Sequence, residues 1–331
     1  MVDVGFLAKA MEATGLETFV VDEDGATQVA APSPFINGTN VQFAWDSTSL
    51  GWLKTCPRLY YYNMIEGWRP NEENDHLRFG IEYHTALEDY DISRGAGIPH
   101  EDAVHDIVKA LIARIADWHP RHKFKTRYNL VRTVVWYLDH YQRDSVETYI
   151  RKDGTPAVEV SFRFEFPDFK IEGQEVLLCG HLDRIVKFSD DPWVKDTKTG
   201  TSTPGEYYFK QYDVHNQMTL YTLAGQVVLN SPIRGVIIDY AQVADKFSRF
   251  TRGWTVRTPD QLEEWVHDTR YWIQQSVTFA ESGYWPMNDM SCDKYGGCRF
   301  REICGRSPHV RERFLESNYK RSERWNPLKV R

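Results

Sequence analysis

Residues 175–200 read EVLLCGHLDRIVKFSDDPWVKDTKTG, and this stretch decides the fold. Two extended segments are expected, one over 175–188 and one over 192–200. Asp190-Asp191-Pro192 between them fits a hairpin turn. Side chains two apart on a strand share a face, so Asp196 and Lys198 point the same way and Asp183 can meet them from the neighbouring strand. Two carboxylates are hard oxygen ligands for Mg²⁺ or Mn²⁺, and the Thr197 carbonyl can add a third oxygen. A lysine beside such an ion can orient or deprotonate a water and neutralise a phosphoryl oxygen. That set of groups suits phosphodiester hydrolysis. An Asp-x-Lys triplet alone is common. Its place on a hydrophobic strand, one strand after Gly180-His181-Leu182-Asp183, is much rarer.

Upstream, VEVSFRFEF (158–166) alternates strictly, with Val158, Val160, Phe162, Phe164 and Phe166 on one face, as a half-buried strand does. Glu159 faces away from that row and is a minor candidate for the same site. Downstream, 206–229 reads as helix, IRGVIIDYAQVA (233–244) and SRFTRGWTVRT (248–258) as strands, and 260–281 as helix. The first half is mostly helical. Helices are expected over 3–14, from a cap at Asp46 or Ser47 through the CPRLYYY segment, from about Leu77 to Tyr90, and over 101–118 and 129–150. Residues 22–40, rich in Gly, Pro, Ala and Asn, read as a loop or arm. The order is helices, then βββ-α-ββ-α, then a cysteine-rich end. The fold class is therefore α/β, a mixed central sheet flanked by helices. The expected division is an arm (1–40), a helical part (41–156), a catalytic core (157–285), and a cysteine-rich segment with a basic tail (286–331).

Two helical pieces accompany the strands: Gly80-Ile81-Glu82-Tyr83-His84 before the sheet and Gln217-Met218-Thr219-Leu220-Tyr221 after it. Gln217 and Tyr221, four apart, share a helix face. With GIEYH, GHLD, DTK and QMTLY in this order, residues 80–221 resemble the RecB-like branch of the PD-(D/E)XK nucleases, whose core is restriction-endonuclease-like. The resemblance implies that His84, Asp183 and Asp196 bind the catalytic Mg²⁺ or Mn²⁺, and that Lys198 serves the attacking water. It also implies that Gln217 and Tyr221 shape the site and approach DNA. The implied activity is that of a deoxyribonuclease. Exonuclease action on single-stranded ends is the expectation, in repair, recombination or phage DNA processing, with no partner helicase or recombination protein identified.

Five cysteines are present. Cys56 precedes the core, and Cys292, Cys298 and Cys304 follow it. Four thiolates can hold a [4Fe–4S] cluster or a tetrahedral zinc, and Gly296 and Gly297 would let the chain bend around either. The arrangement resembles the iron–sulfur subgroup of the same nucleases (AddB-type helicase-nucleases and CRISPR-associated exonucleases), which implies [4Fe–4S]. The five-residue gap between Cys292 and Cys298, where that subgroup usually has two, leaves zinc open. Cys179, in an apolar strand, reads as a buried structural thiol.

The net charge of −7 is unevenly spread. Residues 306–331 carry eight Lys/Arg against three acids, and Arg121, His122, Lys123, Lys125 and Arg127 form a second basic run. Such patches suit phosphates or plain solvent alike. The rings of Tyr60, Tyr61, Tyr62, Tyr207 and Tyr208 can stack on bases, although core packing is the commoner use. No secretory or membrane-spanning run is evident, so a soluble intracellular protein is expected. No G-x-x-x-x-G-K-[ST] loop occurs, which excludes a P-loop motor within these residues. The rival readings are a nucleic-acid-binding scaffold on a dead nuclease fold, against which the intact metal set argues, and a redox or metal sensor using the cysteines.

Overall fold

In the computed structural model, which describes residues 31–293 and 297–329, the hairpin quoted above forms the middle of a mixed sheet. In chain order the elements are β1 (Ala44–Trp45), α1 (Ser47–Thr55), β2 (Trp68–Pro70), α2 (Asp75–Gly95), α3 (His100–Arg114), α4 (Arg127–His140) and β3 (Glu147–Thr148). The long strands β4 (Val158–Ile171), β5 (Gln174–Phe188) and β6 (Asp191–Gly200) follow, then α5 (Glu206–Lys210) and α6 (Asn216–Leu229). The chain continues through β7 (Val236–Val243), β8 (Ser248–Thr255), α7 (Pro259–Ser282), α8 (Pro308–Asn318) and β9 (Tyr319–Arg321). The sheet order is β1-β5-β6-β7-β8, with β3 and β4 also paired to β5. The α/β class with a mixed sheet flanked by helices is therefore observed. The helix expected over 3–14 lies outside the described residues, as do residues 22–30 of the loop or arm expected over 22–40.

The chain divides into two compact units, built from residues 1–73, 161–180 and 259–331, and from 74–160 and 181–258. In the first, Asp46 caps α1. Its carboxylate accepts the Ser49 amide at 2.8 Å, and Ser49 Oγ accepts the Asp46 amide at 3.1 Å, a closed capping box. Leu177 and Leu178 of β5 pair in parallel with Ala44 and Trp45. Gly180 sits at φ +156, and a Cβ there would lie 2.8 Å from the Phe162 ring, so the close approach of ring to backbone requires glycine. Arg69, Lys320 and their neighbours join β2 to β9.

In the second unit β5 and β6 form a hairpin whose two-residue loop is Ser189-Asp190, both left-handed at φ 50 and 68. Its primed turn matches the twist of the strands, and it places the turn one residue before the expected Asp190–Pro192. β6 and β7 run parallel, and β8 closes antiparallel on β7. Helices α2, α3 and α4 cover one face, burying Phe79, Tyr83, Ile107, Leu111, Leu130 and Val134 with Ala241 and Val243. Helix α6 covers the other face, where a Cβ on Gly225 would press on Val194 at 2.9 Å.

Several expected helices are shorter than their periodicity suggests: the one over 101–118 stops at Arg114, and the one through the CPRLYYY segment breaks at Cys56, between α1 and a short turn of helix at Pro57–Tyr60. The one expected over 129–150 stops at His140, because Asp144 is claimed by Arg252 at 2.8 and 2.5 Å and by the Val146 amide at 3.0 Å. The one expected over 206–229 breaks between Lys210 and Asn216, where Arg257 takes the Tyr212 carbonyl at 2.6 Å.

On the α4 face of the sheet lies a buried ionic row. Lys195 meets Asp239 at 3.1 Å and donates to Tyr137 Oη at 2.9 Å, while Tyr137 donates in turn to Asp239. Arg252 reaches Asp239 at 3.4 Å, and Arg184 pairs with Asp91. Burial opposes ionisation of Asp239, but Lys195 and Arg252 outweigh it and hold this carboxyl below its usual range. Removing one partner of such a set leaves uncompensated buried charge. Asp239→Ala should therefore destabilise the protein by about 3–5 kcal/mol. Urea unfolding followed by circular dichroism checks this, and a loss under about 1 kcal/mol would contradict it.

Candidate active site

The β5–β6 ladder ends at Arg184 opposite Lys195. One residue further, β5 no longer pairs with β6, and the backbone groups of Thr197 that would have bonded to β5 turn to side chains. The Thr197 amide donates to Asp183 Oδ2 at 2.9 Å, and its carbonyl lies 2.8 Å from His84 Nε2. The other imidazole nitrogen, Nδ1, lies 3.2 Å from Asp183 Oδ2. A neutral imidazole carries one N–H and cannot donate to both oxygens. One nitrogen must then present its lone pair to an oxygen, an arrangement that a second proton or a bound cation satisfies.

Glu159 completes this group. One ligand atom each from His84, Glu159 and Asp183 lie within 4.8 Å of one another. Glu159 adopts φ 44 in the middle of Val158-Glu159-Val160, a left-handed conformation uncommon for a residue with a Cβ and typical of bulges beside functional sites. Glu88, one turn beyond His84 on α2, lines the same small cavity with Val158 and Thr197. Sequence reasoning passed over Glu88, although its spacing of four from His84 was a usable signal.

The remaining residues gather beside this group. Lys198 Nζ lies 2.9 and 2.7 Å from the two Asp196 oxygens and donates to Gln217 Oε1 at 3.1 Å. Gln217 Nε2 donates to Tyr221 Oη at 3.0 Å. Burial, reinforced by Asp183, pushes Asp196 up to about 6 although Lys198 opposes the shift. Burial disfavours the charge on Lys198, yet Asp196 and Asp183 outweigh it and hold the ammonium above its ordinary range. Asp196 thus engages Lys198 and is not one of the three residues clustered within 4.8 Å. His215, just before α6, is pushed down to about 4 by burial and by Lys198 and Arg257; nothing in the local sequence singled it out.

The four candidate cluster cysteines all belong to the first unit. Cys56 is buried and accepts the Asn288 amide at 3.3 Å, while Cys292, Cys298 and Cys304 are partly buried. Cys298 and Cys304 pack against Tyr62, Phe300, Ile303 and Leu315. Burial raises the thiols of Cys292 and Cys304, and both also feel Cys298 and Cys56. Cys179 is buried with Ala44 and Leu328, and burial pushes its thiol far up. Part of the basic tail is already engaged within this unit: Arg311 donates to the Cys304 carbonyl at 2.9 Å, and Arg321 pairs with Glu66 at 2.9 Å. Of the tyrosines that could stack on bases, Tyr60 and Tyr62 are buried, whereas Tyr207 is 82% exposed.

A family model described as the PD-(D/E)XK nuclease superfamily matches residues 47–305, a span that takes in this whole constellation. The chain belongs to the PD-(D/E)XK nuclease superfamily. No curated protein matches it. Among solved structures it is similar to a protein from Eubacterium rectale described as a "Putative exonuclease", at 11% identity and TM-score 0.45, covering 76% of this chain and 86% of that one. It is also similar to a protein called SSO0001, at 15% identity and TM-score 0.35, covering 79% and 85%. Among the described residues no helix is long and apolar enough to cross a membrane.

For this nuclease the clustered donors make a definite expectation. Asp183→Asn and Glu159→Gln should each weaken Mn²⁺ binding by about 10–100-fold, the scale of losses around metal sites. Calorimetry on the purified protein reads this, and unchanged affinity in both variants would mean that the ion does not bind there.

Proposed function

We propose that this nuclease hydrolyses DNA phosphodiester bonds with Mg²⁺ or Mn²⁺ and works as an exonuclease on single-stranded ends. The observation that carries the reading is the parting of β5 from β6, which gathers His84, Glu159, Asp183 and the Thr197 carbonyl next to Lys198. One nitrogen and several oxygens suit a hard or borderline divalent cation, with the imidazole favouring Mn²⁺ over Mg²⁺. A cation held there supplies charge stabilisation at the phosphate and makes water a better nucleophile.

The chain's own residues do the rest. Lys198 carries its proton at Nζ, aimed by Asp196 and Gln217, and can orient the attacking water or neutralise a phosphoryl oxygen. Tyr221 holds Gln217, so the lysine is braced from two sides. Asp196, paired with Lys198, would be available as a further ligand to the cation if Lys198 turned toward the phosphate. The choice of exonuclease and of single strands rests on the resemblance of the GIEYH, GHLD, DTK and QMTLY pieces to RecB-like nucleases.

The test uses 5′- and 3′-labelled single and double strands with Mg²⁺, Mn²⁺ or EDTA. Single strands should shorten progressively from an end in either metal and survive in EDTA. Lys198→Ala should lower the rate by about 10²–10⁴-fold, the usual worth of a positioned proton-handling group. Internal cuts in circular single strands would overturn the exonuclease choice, and near-wild-type activity of Lys198→Ala would overturn the site.

We further infer that Cys56, Cys292, Cys298 and Cys304 hold a [4Fe–4S] cluster whose role is structural. The four thiols lie in one unit within electrostatic reach of one another, and the choice of [4Fe–4S] over zinc rests on the resemblance to the iron–sulfur subgroup. Anaerobically purified protein should be brown and contain iron and sulfide. Cys→Ala at any of the four should bleach the colour and lower the melting temperature, whereas Cys179→Ala should keep the colour. A colourless protein with stoichiometric zinc would overturn the cluster and leave the nuclease reading intact.

A further inference from the structure

Helix α5 is a five-residue helix whose aromatic residues are used unequally. Tyr208 packs on Tyr240, ring centres 4.4 Å apart, and its hydroxyl meets that of Tyr212 at 3.2 Å. Phe209 lies so close to β8 that a Cβ on Gly253 would sit 2.1 Å from its ring, so glycine is the residue that admits it. The loop leading into the helix is tied down as well: Tyr240 donates to the Ser202 carbonyl at 2.7 Å, and Gln242 to Thr203 Oγ1 at 2.9 Å. Tyr208 and Phe209 therefore anchor the helix. Tyr207 is spent on neither and presents its ring to solvent, 82% exposed. Lys210 Nζ lies 5.1 Å from the centre of that ring.

Position gives this ring a meaning. Lys198 and Tyr240 are register partners on adjacent parallel strands, so their side chains stand side by side on the face covered by α6. Tyr208 packs on Tyr240, and Tyr207 is the next residue along. Two rings, Tyr240 and Tyr208, thus link Lys198 to the short helix that carries Tyr207, a support fixed at both ends. An exposed tyrosine costs little conformational entropy to immobilise and offers a flat face to any base. A lysine beside it complements a phosphate. Tyr128, 74% exposed on α4, is the natural comparison, because α4 packs on the opposite face of the sheet.

We propose that Tyr207 is a stacking subsite for an unpaired base of a single-stranded DNA substrate, with Lys210 taking the adjoining phosphate. This rests on the nuclease reading above and adds to it a physical basis for strand choice. In duplex DNA the faces of the bases are already stacked on one another, so a ring at this position gains its full contact only on a strand whose bases are free.

Binding is read by fluorescence anisotropy in EDTA, so that no cleavage intervenes. The probes are a labelled oligothymidylate, an abasic strand of equal length and a blunt duplex. Tyr207→Ala should weaken oligothymidylate binding by about 5- to 150-fold, the worth of one stacked base, and leave the abasic strand unchanged. Tyr207→Phe should restore the loss, and Tyr128→Ala should behave as wild type. Equal binding of oligothymidylate by wild type and Tyr207→Ala would overturn the subsite, as would an equal loss on the abasic strand or failure of the wild type to bind any single strand. Cleavage in Mn²⁺ is measured in parallel. If wild type cleaves while Tyr207→Ala binds and cleaves unchanged, the subsite alone fails. If the variant loses binding as expected but wild type cleaves nothing, the nuclease reading fails and the subsite stands.

Discussion

The candidate site depends on a ladder that stops. Had β5 continued to pair with β6 beyond Arg184–Lys195, the Thr197 amide and carbonyl would have been consumed by the sheet. Because it stops, both groups need other partners, and buried backbone polar groups seldom go without them. Asp183 takes the amide and His84 meets the carbonyl. The same event that ends the pairing thus draws a strand carboxylate and a helix imidazole to one point. The left-handed backbone at Glu159 adds a second carboxylate there. β7 still pairs with β6 through Thr197 and Lys198, so the frayed edge of β6 is held in place from its other side.

Lys195 and Lys198, three residues apart on one strand, show how the two faces of the sheet divide the work. Lys195 is sealed beneath α4, and burial together with Arg184 pushes it down to about 8 although Asp239 opposes the shift. Lys198 sits near two carboxylates on the α6 face and is held above its ordinary range. Asp239 and Asp196 are each fully buried, yet one is held down by two cations and the other is pushed up by burial with one cation to oppose it. The inner charges balance among themselves and keep the strand in register. The outer ones are left unequal, which is the condition under which a carboxylate gains from a further cation.

What could be read in the sequence was whatever local periodicity determines. The two strands and the turn between them follow from alternation and from Asp190-Asp191-Pro192, and the helical residues Gln217 and Tyr221 follow from a spacing of four. What could not be read was set from a distance. The break at 211–215 depends on Arg257, more than forty positions downstream, taking the Tyr212 carbonyl. The early end of α4 depends on Arg252 holding Asp144. Glu159 looked like an ordinary exposed strand residue because nothing in Val158-Glu159-Val160 demands a positive φ. The basic tail looked like one patch for phosphates, yet Arg311 and Arg321 are engaged within their own unit.

The cysteines pose a separate problem of chain topology. The segments 74–160 and 181–258, which carry the candidate catalytic residues, are insertions between the three segments of the first unit. Any bond between Cys56 and the 292–304 region closes a loop around both insertions. The structure already brings Cys56 to Asn288 across 232 positions. Holding the ends of so long a loop together costs about 5 kcal/mol of chain entropy on a random-coil basis, far more than one amide-to-sulfur contact returns. Tyr60 tilted and Tyr61 stacked against Trp285, and Arg58 donating to the Trp285 carbonyl at 3.1 Å, help to meet it. A metal cluster on the four thiolates would add bonds at a place where the first unit must be reassembled from distant parts of the chain. Its effect would therefore fall on folding of that unit, while the candidate site around Lys198 is drawn wholly from residues of the other.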